Sequence, residues 1–286
     1  MRAESVQLDT GTDTVLAAVT DGVAVLTLNR PQRRNALHPE MYEVLPRLLE
    51  RFATDDDVGC VMLTGAGTAF CAGGDVRDGG SARGLPDGDR EAQIRHRAGL
   101  LAENARIVTL LHTMPKITVA ALPGAAVGAG MSIALAADLR IAARSARLIP
   151  GWAALAFSGD FGGAWLLTRL VGPAKALELL IADKPVDADT ALGLGVVNRV
   201  VDDADLAAAA MDWARVIAAG PTYAFAGTKA NVADAQRLPL AEALVPESER
   251  MARCSLTEEH RRAVRAWMAT ASKTRRDVSR EEGELT

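Results

Sequence analysis

Short apolar runs alternate with amphipathic segments along the first half of the chain. Val23 to Leu28 (VAVLTL), Val58 to Leu63 (VGCVML) and Ile117 to Leu122 (ITVAAL) are apolar and rich in β-branched residues, which predicts buried strands. Residues 38–53 and 91–112 carry apolar residues at three- and four-residue spacing, which predicts helices. Strands that alternate with helices are typical of an α/β fold with parallel strands and right-handed crossovers.

The alternation continues to about residue 145 and then changes. Met131 to Leu139 predicts another helix, and Arg140 to Ala143 predicts the start of another strand. After about Asp203 the chain has long segments rich in Ala, Leu and Arg, with no strand pattern. We therefore expect residues 1–203 to form the α/β core and residues 204–286 to form a helical C-terminal region.

The composition favours a soluble globular protein. The chain has 286 residues, of which 49% are hydrophobic and 24% charged. A net charge of -4 argues against non-specific binding to nucleic acid. The three cysteines form no CxxC pair, which argues against a disulfide framework or a cysteine zinc site and suits a reducing cytoplasm. The N-terminus has no pattern of a secretory signal.

One uncharged stretch, residues 117–137, is long enough to cross a bilayer. It contains the dipeptide Pro123-Gly124, which interrupts a continuous helix. We therefore expect a buried strand, a turn and a buried helix, and no membrane span.

Two glycine-rich loops have the same design. In FCAGGDV, Gly73 and Gly74 follow the Cys60 strand, and in GAAVGAGMS, Gly128 and Gly130 flank Ala129 before an apolar helix. Small residues allow a ligand to approach main-chain N–H groups closely, and a helix N-terminus favours a developing anion. Two such N–H groups aimed at one point would form an oxyanion hole.

Other chemistries find weaker support in the sequence. Gly128 and Gly130 begin a GxGxxG pattern, but Ile133 stands at its third glycine, so a dinucleotide site is weakly indicated. No GxxxxGKS/T or GxSxG sequence occurs. The four histidines have no metal-ligand spacing, so we expect no catalytic metal.

The segment FSGDFGGAW places a single carboxylate, Asp160, among glycines. Such a turn could hold a metal or a phosphate, or it could be the mouth of a proton-transfer site. The structural alternative is an aspartate that stabilises the turn or caps the helix that follows.

Four segments in register carry a family resemblance. NRPQRRNAL, AFCAGGDV, GAAVGAGMSIALAADLRIA and GDFGGAWLLTRLVG, from about Val23 to Val201, resemble the enoyl-CoA hydratase/isomerase family, the crotonase superfamily. The resemblance implies a spiral of ββα units and a helical C-terminal region that builds homotrimers, often paired into hexamers. It also implies an acyl-CoA thioester as substrate. Coenzyme A would then be part of the substrate, and no separate cofactor is expected.

The resemblance also implies site residues. The thioester oxygen would lie between the main-chain N–H groups of Gly74 and Ala129. The adenine and phosphates of CoA would lie near residues of two segments: Arg33, Arg34, Ala36, Ala72, Asp75 and Val76. Two further candidates for binding are Ser132, as a packed residue or a polar contact, and Trp152, as a wall of the acyl pocket.

The position of the acid residues departs from the hydratase pattern. Hydratases of the family carry two glutamates, and the matching positions hold Ser132 and Trp152. Asp160 stands where several isomerases of the family carry an aspartate. We therefore expect an enoyl-CoA isomerase of fatty-acid or aromatic-acid breakdown, with Asp160 as its single acid/base. The alternatives are a hydratase that uses Asp160 and water, and a catalytically silent acyl-CoA binding protein.

Two charged or polar stretches complete the expectations. Residues 75–90 (DVRDGGSARGLPDGDR) are predicted to form a surface loop beside the site. Basic residues recur between Arg261 and Arg280, which is typical of a solvated helix face. Contact of that run with CoA phosphates across a subunit boundary is the alternative.

Overall fold

The computed structural model describes residues 5–75 and 89–269 of the chain. Close packing divides the chain into two units, Met1–Gly220 and Pro221–Thr286. All strands of the described residues lie in the first unit. The boundary predicted after residue 203 falls at the end of the strands. The first unit extends further, because one more helix, Leu206–Ala218, packs with it.

Eleven strands are present among the described residues of the first unit. In chain order they are β1 (Val6–Leu8), β2 (Val15–Thr20), β3 (Val23–Leu28), β4 (Cys60–Gly65), β5 (Ala69–Cys71), β6 (Ile117–Leu122), β7 (Ala125–Val127), β8 (Leu139–Ala143), β9 (Arg147–Ile149), β10 (Val186–Asp187) and β11 (Arg199–Val201). A seven-stranded sheet has the order β1-β2-β3-β4-β6-β8-β11, and a four-stranded sheet has the order β10-β9-β7-β5. The strands from β3 to β11 of the larger sheet pair in parallel.

A short strand of the smaller sheet follows each central strand of the larger one. The pairs β4/β5, β6/β7 and β8/β9 repeat in this way, and each pair leads into a helical segment. The repeated unit is therefore two strands and a helix, which confirms the predicted α/β architecture of ββα units.

The helices of the first unit are α1 (Pro39–Thr54), α2 (Arg90–Asn104), α3 (Arg106–Thr113), α4 (Ala129–Ala136), α5 (Gly163–Val171), α6 (Pro173–Ala182), α7 (Ala188–Gly193) and α8 (Leu206–Ala218). In α1, Met41, Leu45, Leu48 and Phe52 recur at spacings of four, three and four residues and are all buried. Helix α4 is different, because all eight of its residues are buried. A helix without a polar face lies inside the core, and this position fixes the N-terminus of α4 firmly.

The pattern of the sequence predicts most of these elements. Strands β3 and β6 have the predicted bounds, whereas the strand predicted at residues 58–63 covers Cys60–Gly65. The single helix predicted at 91–112 is wrong in one respect: α2 and α3 are separate helices that meet at Ala105. Helix α3 buries Ile107, Val108 and Leu111, while α2 has no buried residue. Only the second helix therefore packs on the core.

The uncharged stretch at residues 117–137 folds as predicted, into β6, β7 and the short α4. Among the described residues, every helix is either too short or too polar to span a bilayer.

The described part of the second unit is helical. It contains α9 (Thr222–Ala235), α10 (Leu240–Ser255) and a helical segment at residues 258–269. The buried carboxylate of Asp234 joins α9 to α10, since it accepts hydrogen bonds from Arg237 at 2.5 Å and from Arg250 at 2.6 Å. These bonds lower the pKa of Asp234, chiefly through Arg237. Arg261, Arg262 and Arg265 are exposed on the segment 258–269, and the rest of the basic run lies outside the described residues.

Candidate active site

The turn after β5 holds the first of the two predicted oxyanion donors. Gly73 has φ +83°, a conformation that favours glycine, and its carbonyl accepts a hydrogen bond of 2.8 Å from Leu37 N. Gly74 pairs with Leu37 in an isolated parallel bridge and is exposed. A Cβ atom built on Gly74 would meet no described atom within 4 Å. The N–H group of Gly74 is thus held on a fixed turn beside open space.

The N-terminus of α4 holds the second donor. Gly128, with φ +54° and ψ −123°, is the N-cap, so Ala129 is the first helical residue. N–H groups in the first turn of a helix have no partner within the helix. No described residue accepts a hydrogen bond from Ala129 N or from Gly74 N. The positive end of the helix dipole adds to the attraction of this position for an anion.

The two turns lie side by side. A Cβ atom built on Gly73 would lie 2.8 Å from Val127 O and 3.7 Å from Ala129 N. One built on Gly130 would lie 2.7 Å from Cys71 Cβ, so α4 packs directly against β5. Glycine at both positions permits this approach of two backbones. The structure therefore brings Gly74 and Ala129, which are far apart in sequence, to one place.

The C-terminal end of α4 is anchored by a buried cation. The guanidinium group of Arg140 donates hydrogen bonds to the main-chain oxygens of Leu135, Ala137 and Val196. Burial lowers the pKa of Arg140 to about 10, which leaves it charged near neutral pH. A cation at this end complements the helix dipole. The position of α4 is thus fixed at both ends, by the Gly128 turn and by Arg140.

The turn of Asp160 is strained and glycine-rich. Phe161 has φ +50° although it is not glycine, and Gly162 follows with φ +69°. Non-glycine residues in this region cost about 1–3 kcal/mol and are concentrated at functional sites. The Ser132 hydroxyl lies 3.2 Å from Asp160 O and 3.4 Å from Gly128 O, so it links this turn to the N-cap of α4. Ser132 is fully buried and directs its hydroxyl to main-chain oxygens.

Trp152 holds the carboxylate of Asp160. The indole Nε1–H of Trp152 donates a hydrogen bond of 2.9 Å to Asp160 Oδ1. A Cβ atom built on Gly128 would lie 3.8 Å from the same indole nitrogen, so the pair adjoins the N-cap of α4. Burial raises the pKa of Asp160 from its ordinary value, and the bond from Trp152 lowers it only in part. The carboxyl group is consequently a better proton acceptor than an exposed aspartate.

The carboxylate does not cap α5. That helix starts after Gly162, which makes no side-chain cap, and only the main-chain oxygen of Asp160 takes part, by accepting a hydrogen bond from Gly163 N. Among the described residues there is no group of three or more His, Cys, Asp or Glu side chains that could hold a metal. The arrangement consists of two N–H donors and one partly buried acid, which suits proton transfer next to an anion.

Comparison with known proteins identifies the family of the chain. The family model described as Enoyl-CoA hydratase/isomerase matches residues 18–274. The chain belongs to this family. Its members act on acyl-CoA compounds, and the chain is therefore an acyl-CoA enzyme by descent.

Individual members of the family that resemble this chain have several names. 1,2-Epoxyphenylacetyl-CoA isomerase of Escherichia coli (strain K12) is 34% identical over 258 residues, which are 90% of this chain and 96% of that protein. 4-Chlorobenzoyl coenzyme A dehalogenase-2 of an Arthrobacter species is 35% identical over 205 residues, 71% of this chain and 72% of that protein. A solved structure of a Thermobifida fusca YX protein in complex with CoA has 29% identity and a TM-score of 0.75, and covers 85% of this chain and 93% of that chain.

The segments that the family resemblance assigns to CoA are adjacent. Ala72 N donates a hydrogen bond of 2.9 Å to Arg34 O, so the turn at residues 30–37 lies along the segment 72–75. Arg34 is exposed and Ala36 is buried. Asp75 forms ion pairs with Arg30 at 3.1 Å and with Arg33 at 3.8 Å. Val76 and the rest of the predicted loop up to residue 88 lie outside the described residues.

Asn35 supports this part of the site and was not predicted. Its side chain is fully buried, accepts a hydrogen bond from Arg30 N and donates to Ala66 O and Ala69 O. It thereby fixes the turn 30–37 to the ends of β4 and β5. The hydrogen bond from Trp152 to Asp160 was also missed. The only available signal was the presence of an indole and an acid in one glycine-rich loop.

Two other polar side chains of the first unit are structural. Asp138 accepts hydrogen bonds from Thr118 N and Thr118 Oγ1, so its carboxylate is occupied by the main chain and side chain of β6. Cys71 is fully buried, and burial raises its pKa to about 12. Its thiol is therefore protonated near neutral pH and unsuited to act as a nucleophile.

Proposed function

We propose that this protein is an acyl-CoA double-bond isomerase. The N–H groups of Gly74 and Ala129 would bind the thioester oxygen, and Asp160 would carry a proton between two carbons of the acyl group. Removal of a proton next to a thioester carbonyl creates negative charge on the oxygen, which preorganised donors stabilise in the transition state. The observation that carries the proposal is the partly buried Asp160 carboxylate beside the N-cap of α4.

A single acid/base favours isomerisation over hydration. At the two positions where hydratases of the family carry glutamates, Ser132 directs its hydroxyl to main-chain oxygens and Trp152 offers only an N–H donor. Hydration must activate a water molecule and also deliver a proton. Isomerisation needs one group that takes a proton from one carbon and returns it to another.

The raised pKa of Asp160 suits this task. A general base works best when its pKa approaches the operating pH, because the same group must then release the proton. Burial moves Asp160 in that direction, and the neutral indole of Trp152 keeps the carboxylate aimed without pairing it with a cation.

The substrate and the assembly belong to the proposal as well. A relative crystallised in complex with CoA supports a CoA thioester as substrate. The exposed Arg34 would meet the CoA phosphates, and Ala36 and Ala72 would border the adenine. We further infer a cytoplasmic homotrimer or hexamer, built by the C-terminal helices, that needs no cofactor other than the CoA of its substrate.

Turnover of a panel of CoA esters tests the proposal. Purified protein should convert 3-enoyl-CoA to 2-enoyl-CoA and, in deuterium oxide, exchange hydrogen next to the thioester, as followed by mass spectrometry. Asp160→Asn should lower the rate by about 10²–10⁴-fold, the usual contribution of a general acid/base, while binding of a saturated acyl-CoA is kept. The matched control is Asp56→Asn at an exposed position, which should act like the wild type.

Three results would contradict this proposal. Equal turnover by Asp160→Asn would remove the aspartate from the mechanism. Hydration of 2-enoyl-CoA without isomerisation would favour the hydratase. Tight binding with no turnover of any ester, including 1,2-epoxyphenylacetyl-CoA and 4-chlorobenzoyl-CoA, would favour a silent binding protein.

A further inference from the structure

Tyr42 lies where the predicted oxyanion turn and the Asp160 turn come together. It occupies the first turn of α1, which begins directly after the segment that pairs with Gly73 and Gly74. Its ring centroid is 6.1 Å from that of Phe161, the residue next to Asp160, with the rings tilted by 42°. The position of α1 therefore brings a phenol to the acid.

The hydroxyl group of Tyr42 is uncommitted. Among the described residues it has no hydrogen-bond partner, and the residue is only partly buried. Burial raises the pKa of Tyr42, and its electrostatic interactions with Cys71 and Asp160 raise it further. Tyr42 therefore stays protonated and can donate a hydrogen bond near the acid at any ordinary pH.

The other donors near this point already have tasks. The indole N–H of Trp152 is bonded to Asp160, and the N–H groups of Gly74 and Ala129 are assigned to the thioester oxygen. The Tyr42 hydroxyl would therefore donate to an acceptor atom further along the acyl chain than the thioester oxygen. A partly shielded donor that a ligand covers without bonding loses its hydrogen bond to water, so a purely hydrocarbon acyl group would be penalised.

We propose that Tyr42 is a specificity-determining residue that donates a hydrogen bond to an oxygen atom of the acyl group, beyond the thioester carbonyl. The site would then prefer oxygenated acyl-CoA esters, such as hydroxy or epoxide compounds, to hydrocarbon ones. This inference rests on the proposed acyl-CoA site, but not on the proton transfer by Asp160. The similarity to 1,2-epoxyphenylacetyl-CoA isomerase supplies a suitable oxygenated probe.

Binding of a matched pair of esters tests the role of Tyr42. The dissociation constants of a 3-hydroxyacyl-CoA and of the saturated acyl-CoA of equal chain length are measured by calorimetry for wild type and Tyr42→Phe. We expect the preference for the hydroxy ester to fall about tenfold in Tyr42→Phe, the effect of one lost hydrogen bond. The kcat/KM ratio of 1,2-epoxyphenylacetyl-CoA to a 3-enoyl-CoA should fall in the same direction.

Tyr223→Phe is the matched control, because Tyr223 is the second tyrosine of the chain and is exposed on α9. It should retain the wild-type preference. An unchanged preference in Tyr42→Phe, or an equal loss of affinity for both esters, would overturn the inference. Either result is distinguishable from failure of the proposed function, because calorimetry reports binding, dehydration of the hydroxy ester would appear as 2-enoyl-CoA in the same samples, and Asp160→Asn reports on the proton transfer separately.

Discussion

Asp160 and Asp234 are both shielded from water, yet their pKa values move in opposite directions. Asp234 is bonded to the guanidinium groups of Arg237 and Arg250, which lower its pKa. Asp160 is bonded to the neutral indole of Trp152, and burial raises its pKa. The charge of the partner, rather than shielding alone, decides the direction.

This contrast separates a structural acid from the proposed catalytic one. A carboxylate paired with two cations has little tendency to take up a proton near neutral pH, so Asp234 can hold α9 to α10 but cannot act as a base. A carboxylate held by a neutral donor keeps its orientation and its basicity. In Asp160 both properties are combined beside the two turns that are proposed to bind the thioester oxygen.

Among variants that leave Asp160 intact, the largest effect is expected when the neighbouring N–H group is removed. Ala129→Pro deletes one donor at the first position of α4, where proline is well tolerated. We expect a loss of about 10²–10³-fold in kcat, the usual effect of removing one oxyanion donor. Steady-state kinetics with a 3-enoyl-CoA measures the loss.

The same substitution at the first residue of another helix provides the control for Ala129→Pro. Arg90 begins α2, is exposed and follows a β-region N-cap that accepts proline. Arg90→Pro should retain activity and melting temperature. Full activity of Ala129→Pro would mean that the N–H group of Ala129 takes no part in the reaction. Only its basicity would then distinguish Asp160 from Asp234.

Parts of this site could be predicted from the sequence because their signals are local. The glycines of both turns and the apolar strands before them mark where the backbone bends, and Asp160 stands out as a lone acid among glycines. The bond from Trp152 could not be predicted, since the loop between Trp152 and Asp160 has left-handed residues at Ala156 and Gly159 and follows no period. Strands of three residues such as β5 and β7 are too short to show an alternation.

A smaller effect is expected when the partner of Asp160 is removed. Trp152→Phe keeps a ring in the buried space but deletes the hydrogen bond that lowers the pKa of Asp160. The acidic limb of the pH profile of kcat/KM should move to higher pH. The rate should fall about 10–100-fold because the carboxylate loses the donor that orients it, and a bond to a charged group is worth about 1.5–3 kcal/mol.

Trp213→Phe, in α8, is the control for Trp152→Phe and should leave the pH profile in place. The pH profile of Trp152→Phe distinguishes two roles of Trp152, a hydrogen bond to Asp160 and packing alone. An acidic limb that stays at the wild-type pH while the rate drops would mean that Trp152 acts only by filling space.

The smallest effects concern stability, and they should have opposite signs for the two aspartates. The raised pKa of Asp160 means that its ionised form costs stability near neutral pH, so Asp160→Asn should raise the melting temperature by about 1–2 °C, a modest gain because the group is partly exposed. The lowered pKa of Asp234 means that its ionised form stabilises the fold above the unfolded pKa, so Asp234→Asn should lower the melting temperature by a few degrees.

Both differences should shrink as the pH falls, because wild-type Asp160 becomes protonated first and Asp234 loses its ion pairs last. Thermal unfolding of the three proteins across a series of pH values measures this. Shifts of the same sign near neutral pH would mean that the two carboxylates do not differ in the way their surroundings imply.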